Sequence, residues 1–259
     1  MQINESLSRW NTTEDFGLQV ARNQIRGHRI IHIFGFNPDI DSGVEETVWT
    51  YGGIYNHLAA PSKLTVSSGN ANDSIAGTGA RTIQWVGING TGAEVFETVI
   101  LNGQNPVETV NTYTEINNMV VMTVGSGGKN AGQIYAGTGT VTAGVPVNVI
   151  GHIAVGDNNS QTGHYTIPKG YTGYLTHGNI STGTTTNGYV IGKLKLRLPN
   201  NIIITAATET FFSGEVDYDF KYPVRIPEGA CVFANALTTK NDESVSCYFE
   251  ILLIKNEDS

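Results

Sequence analysis

Between Asp73 and Gly139 the chain alternates apolar and polar positions in short runs, and a turn sequence closes each run. RTIQWVGI ends in NGTG, EVFETVIL in NGQNP and TYTEINNMVVMTV in GSGGKN, and AGQIYAGTG follows. A period of two places successive side chains on opposite faces of a strand. The runs are rich in Val, Ile, Thr and aromatics, which fit a pleated, half-buried surface. Gly and Asn in the breaks reach the backbone angles of tight turns at little cost. The pattern predicts consecutive antiparallel hairpins, with GSGGKN as one of the hairpin turns.

The same texture continues on either side. TGTVTAGVPVNVIGHI, from Thr138 to Ile153, reads as the link between two halves. Beyond it, Pro168-Lys169-Gly170 and Pro227-Glu228-Gly229 are turns between strands. YVIGKLKLRLP, NIIITAATETFF and EVDYDFKYPVRI are long alternating strands, and ACVFANALTT and SVSCYFEILLIKN are expected to close the chain as a hairpin around Lys240-Asn241-Asp242. This many short strands suits a sandwich or jelly roll. No repeat with a period of about 20 to 50 residues is visible, which disfavours a propeller or solenoid. Near the start, Phe16, Leu18 and Val20 alternate and predict an extended segment. A short helix from Glu14 to Ile25 capped by Thr13 competes with it, but Gly17 and Asn23 weaken that alternative. Arg29 to Phe36 reads as a strand that ends at Asn37-Pro38-Asp39. The expected architecture is all-β: an antiparallel, jelly-roll-like β-sandwich in two modules with an extended N-terminal arm. The divisions fall at residues 1–43 (arm and first strand), 44–145 (hairpin-rich module) and 146–259 (sandwich module).

Charge narrows the choice of partners. The 259 residues carry 15 Lys and Arg against 23 Asp and Glu, a formal net charge of −8. A nucleic-acid binder needs a basic face to neutralise phosphates, so nucleic acid is not an expected partner. The densest basic run is KLKLR, which puts Lys193, Lys195 and Arg197 on one face of a strand, read as a solvated outer face. No apolar run approaches membrane-spanning length, so no membrane partner is expected either. The opening MQINESLSRWNTTEDF has no basic-then-apolar leader pattern. With only Cys231 and Cys247 present, the expectation is a reducing cytoplasm and two free, buried thiols.

Candidate chemistry is sparse. The six histidines show no metal-binding spacing, and Asp39 with Asp41 makes only half of a calcium loop. Glu215, Asp217 and Asp219 alternate on one strand face and read as solvated edge charges. GSGGKN lacks the order of a phosphate-binding loop, and no nucleophile elbow is present. No catalytic residue, cofactor or metal site is expected, and the chain is read as a non-enzyme. Trp49, Tyr51 and Tyr55 around Gly52-Gly53 are the candidate ligand-facing aromatics, with packing at a core edge as the alternative. Phe16, Leu18, Val20, Ile30 and Ile31 are the candidate subunit-contact residues.

The phrases FGFNPDID, ETVWTYGGIY, NDSIAGTGARTIQWVGINGTGAEVFETVILNG, MTVGSGGKNAGQIYAGTG, YTIPKGYTGYL and PVRIPEGACVFANA resemble those of virion structural proteins of tailed bacteriophages. The resemblance runs from about Phe16 to Lys255 and is most specific from Asn72 to Gly139. It implies a virion location after assembly in the host cytoplasm, a structural role and no catalytic residues to transfer. The expected role is a capsid decoration (cement) protein, a homotrimer that binds the major capsid protein. The alternative is a tail or head–tail component, contacting other tail proteins or a host surface glycan.

Overall fold

The computed structural model describes residues 14–183 and 188–257. In chain order the elements are α1 (Phe16–Ala21), β1 (His28–Ile40), β2 (Glu45–Thr47), β3 (Thr65–Ser68), β4 (Ala80–Asn89), β5 (Glu94–Ile100), β6 (Val107–Glu108), β7 (Tyr113–Val124), β8 (Ile134–Thr142), β9 (Val145–Ile153), β10 (His164–Thr166), β11 (Tyr171–Thr182), β12 (Val190–Arg197), β13 (Ile203–Phe211), β14 (Gly214–Ile226), β15 (Cys231–Thr238) and β16 (Glu243–Lys255). The protein is nearly all-β, as the alternation predicted, and its named strand pairs are antiparallel.

Four sheets form. Sheet I has the order β1-β16-β11-β14; sheet II has β10-β15-β12-β13, with β2 also on β15. Sheet III has β6-β3-β8-β9, and sheet IV has β5-β4-β7. Taken together they lie as four blades of a propeller-like ring rather than one plain two-layer sandwich. The absence of a sequence repeat argued against that arrangement. The blades leave no repeat because they differ in strand number and because sheets I and II draw strands from both ends of the chain.

Packing groups the sheets two by two. One core gathers apolar residues of sheets I and II, among them Ile33, Leu175, Val190, Val232, Phe249 and Ile251. The other gathers those of sheets III and IV, among them Val66, Ile83, Trp85, Ile116, Met119 and Ile134. β16 shows how the alternation works: Val245, Cys247, Phe249, Ile251 and Leu253 are buried, and each intervening residue is half-exposed. Both cysteines are buried free thiols in opposite sheets, and burial pushes each up to about 12.

Several local expectations are corrected. Residues 16–21 are helical, not extended, because the Asp15 carboxylate accepts the Leu18 amide at 3.1 Å and caps the turn. Thr13, the expected cap, lies outside the described residues. The strand expected from Arg29 to Phe36 forms, but it does not end at Asn37-Pro38-Asp39: β1 pairs with β16 from His28↔Ile254 to Ile40↔Glu243, with a register shift between Asn37 and Ile40. The Thr138 to Ile153 stretch is not a link but the β8–β9 hairpin, turned by Ala143 and Gly144 at φ 49° and 83°. GSGGKN joins β7 in sheet IV to β8 in sheet III, and the Lys240-Asp242 turn joins β15 in sheet II to β16 in sheet I, so both change sheets instead of closing hairpins. NGTG does close the β4–β5 hairpin.

At the head of the most specific stretch, the Asp73 side chain is a buried hub. Its Oδ1 accepts the amides of Ala80 at 2.7 Å and Ala131 at 2.8 Å. Its Oδ2 accepts the Gly132 amide at 2.8 Å and the Ser68 hydroxyl at 2.6 Å. One carboxylate thus ties the start of β4, the approach to β8 and the end of β3. Gly79 leaves room for it: a Cβ there would stand 2.1 Å from Asp73 Oδ1.

Candidate interaction surfaces

Three surfaces carry the polar and aromatic residues that the two cores leave unused. The first is the junction between the cores. Glu46 is buried, and its carboxylate accepts amides from Asp41 at 2.9 Å and Gly53 at 2.7 Å. Gly52 and Gly53 adopt φ 79° and 66° to close this loop. The fold of the loop turns Trp49 and Tyr55 inward, at 1% and 5% exposure, so neither presents a ring face to a ligand. Tyr51 stays 44% exposed, with its ring 5.2 Å from Trp49 and 5.5 Å from His152. Of the three candidate aromatics it alone faces outward. Burial pushes His152 down to about 4, so it packs there as a neutral ring.

Deeper in the junction, Glu115 of β7 is buried. It is bonded to the Arg197 guanidinium of β12, to His57 Nδ1 at 2.7 Å and to the Tyr55 hydroxyl at 3.2 Å. Burial pushes the Glu115 carboxyl up, but the His57 hydrogen bond and the surrounding charges outweigh it and hold it below the ordinary carboxylate range. A second ion pair crosses the junction: Arg29 of β1 grips Glu94 of β5 at 2.8 and 3.2 Å. The KLKLR face is therefore not solvated. Lys193 and Lys195 both bind Glu45, whose Oε1 also accepts from Asn235 at 2.8 Å.

Burial alone would raise the Glu45 carboxyl, but its bonds to Lys193, Lys195 and Asn235 lower it to about 2. A carboxylate whose folded value is depressed adds stability above its unfolded value, near 4.3, and loses it as pH falls through the folded value. Glu45→Gln is expected to be less stable than the parent at neutral pH, with the difference closing between pH 4.3 and about 2. Urea unfolding at several pH values reads this directly; a gap that stays constant into acid contradicts it.

The second surface is the outer face of sheet I. The Tyr248 ring lies 5.0 Å from Phe34 and 6.0 Å from His32. His177 binds Asp219 at 2.8 Å and Asp217 at 3.1 Å, and the Asp219 hydrogen bond holds its imidazole above the ordinary histidine value. Glu215, Asp217 and Asp219 are exposed, as the alternation suggested. Among the described residues no group of His, Cys, Asp and Glu is placed to hold a metal ion.

The third surface is the flank where β13 and β14 form the edges of their sheets. β13 is exposed over nearly its whole length, and Phe212 and Tyr222 are 71% and 79% exposed. Between the two strands, sheets I and II leave a groove of about 60 Å³, lined almost wholly by apolar atoms, with Ala207, Val216, Tyr218 and Phe220 on its walls. This surface was missed in the sequence because exposed and buried β-branched strands look alike.

The five expected subunit-contact residues divide. Val20 is buried and Ile31 packs against the sheet I and II core, so the chain itself uses both. Ile30 is half-buried beside Gly17 of α1. Phe16 and Leu18 remain on the surface at 51% and 50% exposure.

No family model and no curated protein matches the chain. Among solved structures, the infectious bursal disease virus Gx strain is similar at 10% identity, over 90% of this chain and 77% of that one, with a TM-score of 0.24. Infectious bursal virus-derived T=1 particles are similar at 12% identity, over 89% and 70%, with a TM-score of 0.21. The infectious bursal disease virus VP2 subviral particle is similar at 8% identity, over 90% and 72%, with a TM-score of 0.22. Likeness at these TM-scores carries no argument about fold or role.

Proposed function

We propose that this chain is a structural protein of a virus particle, built on a jelly roll of sheets I and II that carries sheets III and IV as an insert. The strand pairing carries this reading. In a jelly roll eight strands form a folded-over ribbon: first with eighth, second with seventh, third with sixth and fourth with fifth. Here β1 pairs with β16, β10 with β15, β11 with β14, and β12 with β13. The ribbon then wraps so that β16 meets β11 in one sheet and β15 meets β12 in the other. β2 pairs with β15 as well, so β2 and β10 together make the second strand, and the insert leaves the jelly roll between them.

Jelly rolls serve viral capsids, lectins and cupins, and fold alone does not choose among them. Cupin chemistry needs polar ligands inside the barrel, whereas this interior is filled with Leu175, Val190, Phe249 and Ile251. We therefore read the protein as a binding component and not an enzyme. The phage-like phrases favour a head decoration protein, a homotrimer on the major capsid protein. Two free buried thiols suit assembly in a reducing host cytoplasm.

The test is copy number per purified particle by quantitative mass spectrometry. A count of the same order as the major capsid protein is expected. A far lower count moves the protein to the tail or a single vertex, where Tyr51 becomes the first residue to change in host-adsorption assays. Absence from the particle overturns the reading.

A further inference from the structure

We propose that the β13–β14 flank is the seat for residues 1–13 of a neighbouring copy of this chain. The inference rests on the self-assembling role proposed above and gives it a specific contact.

The flank has what a docked strand requires. Among the described residues, β13 has only β12 beside it in sheet II, and β14 has only β11 in sheet I. Each presents a row of free backbone donors and acceptors along its outer edge. Natural proteins shorten, charge or cover such edges, since an exposed apolar edge pairs with other chains. These edges are 9 and 13 residues long and carry exposed Ile203, Ile204, Tyr218 and Tyr222. The groove between them has room for one aliphatic side chain, and Glu209, whose carboxylate accepts the Tyr218 hydroxyl at 2.6 Å, is among its lining residues.

The occupant follows from the chain beyond the described start. Residues 1–13 read MQINESLSRWNTT. Ile3 and Leu7 are aliphatic side chains of the size the groove takes, Trp10 is the aromatic anchor for the exposed rings, and Arg9 is the cation for Glu209. The segment joins the fold at Glu14, beside α1 and the start of β1, and 13 residues reach at most about 43 Å.

β1 is one edge of sheet I and β14 the other, three strand spacings or about 14 Å apart. To reach its own groove the segment would have to cross the outer face of sheet I, over His32, Tyr248 and His177, whose polar atoms are already bonded to one another or to Asp217 and Asp219. In a head-to-tail contact the β1 edge of one copy meets the flank of the next and no crossing is needed. Such contacts close into rings where the rotation between copies closes, and otherwise run on as filaments. Added strands gain affinity from main-chain hydrogen bonds and register from pocketed side chains.

The test uses the full chain. Sedimentation of the parent should show an oligomer. The double variant Leu7→Asp with Trp10→Ser, and separately Ala207→Arg at an exposed groove position, should each weaken association at least ~10-fold. Ala207 is exposed, and circular dichroism confirms that both variants keep the β spectrum. A fluorescein-labelled peptide of residues 1–13 should bind the double variant, read by anisotropy, and should fail to bind once Ala207→Arg is added. A monomeric parent overturns the proposal, as does an oligomer that neither variant weakens. Peptide binding to a monomeric parent's double variant would mean the groove holds its own chain's segment, which also overturns the contact between copies. A confirmed oligomer in a protein absent from the particle would defeat the virion reading and leave this contact standing.

Discussion

An Asp73→Ala variant loses about 4 kcal/mol or more of unfolding free energy, because two buried amides, a half-buried amide and a buried hydroxyl lose a charged acceptor at once. Each orphaned buried donor costs roughly 1–3 kcal/mol, and hydrogen bonds to charged groups lie at the upper end. Domains of this kind are stable by only about 5–15 kcal/mol, so the variant sits near the edge of folding. Asp73→Asn is expected to fall between. Its remaining oxygen still takes the Ala80 and Ala131 amides, while its NH₂ faces the Gly132 amide, donor against donor. Urea unfolding of the three proteins orders them parent, Asn, Ala. If Asn and Ala lose the same amount, the number of amides served by Asp73 does not set its contribution.

Glu115→Ala is expected to cost about 3–5 kcal/mol, the usual result of stranding a buried charge. The stranded group is Arg197, whose Nε already has no partner in the fold. Replacing both, as Glu115→Leu with Arg197→Met, should recover most of the loss, since a buried ion pair is often no better than apolar packing. The same cycle in acid adds a sign. Because the Glu115 carboxyl is held low, its contribution is present above the ordinary carboxylate range and disappears as pH falls through its folded value. A double variant as unstable as the single one would mean that Glu115 acts by shape and not by charge.

The strands were legible in the sequence because a period of two is a local property. The alternation of SVSCYFEILLIKN fixes which β16 side chains enter a core, and the structure buries those residues. Partner choice is not local. Lys240-Asn241-Asp242 looks like a hairpin turn whether the chain returns to the same sheet or crosses to the opposite one, and here it crosses. For the same reason the KLKLR face could be assigned but its cover could not, since Glu45 and Glu115 lie 148 and 82 residues away from Lys193 and Arg197. A helix from Glu14 to Ile25 was disfavoured by Gly17 and Asn23, but the helix that forms stops at Ala21, short of Asn23, and is capped by Asp15. Trp49 and Tyr55 were rightly seen as a cluster, but whether a cluster faces water depends on the loop that Glu46 gathers, which no spacing reveals.

The pairing of His28 with Ile254 also sets an order of events during synthesis. Among the described strands, β1 leaves the ribosome first and its partner β16 last. β1 must therefore wait, apolar face unpaired, until β16 has been made. The strands of sheets III and IV all lie between Thr65 and Ile153, so every partner they need is present before β11 has been made. Sheets III and IV can close on the growing chain, and sheet I cannot.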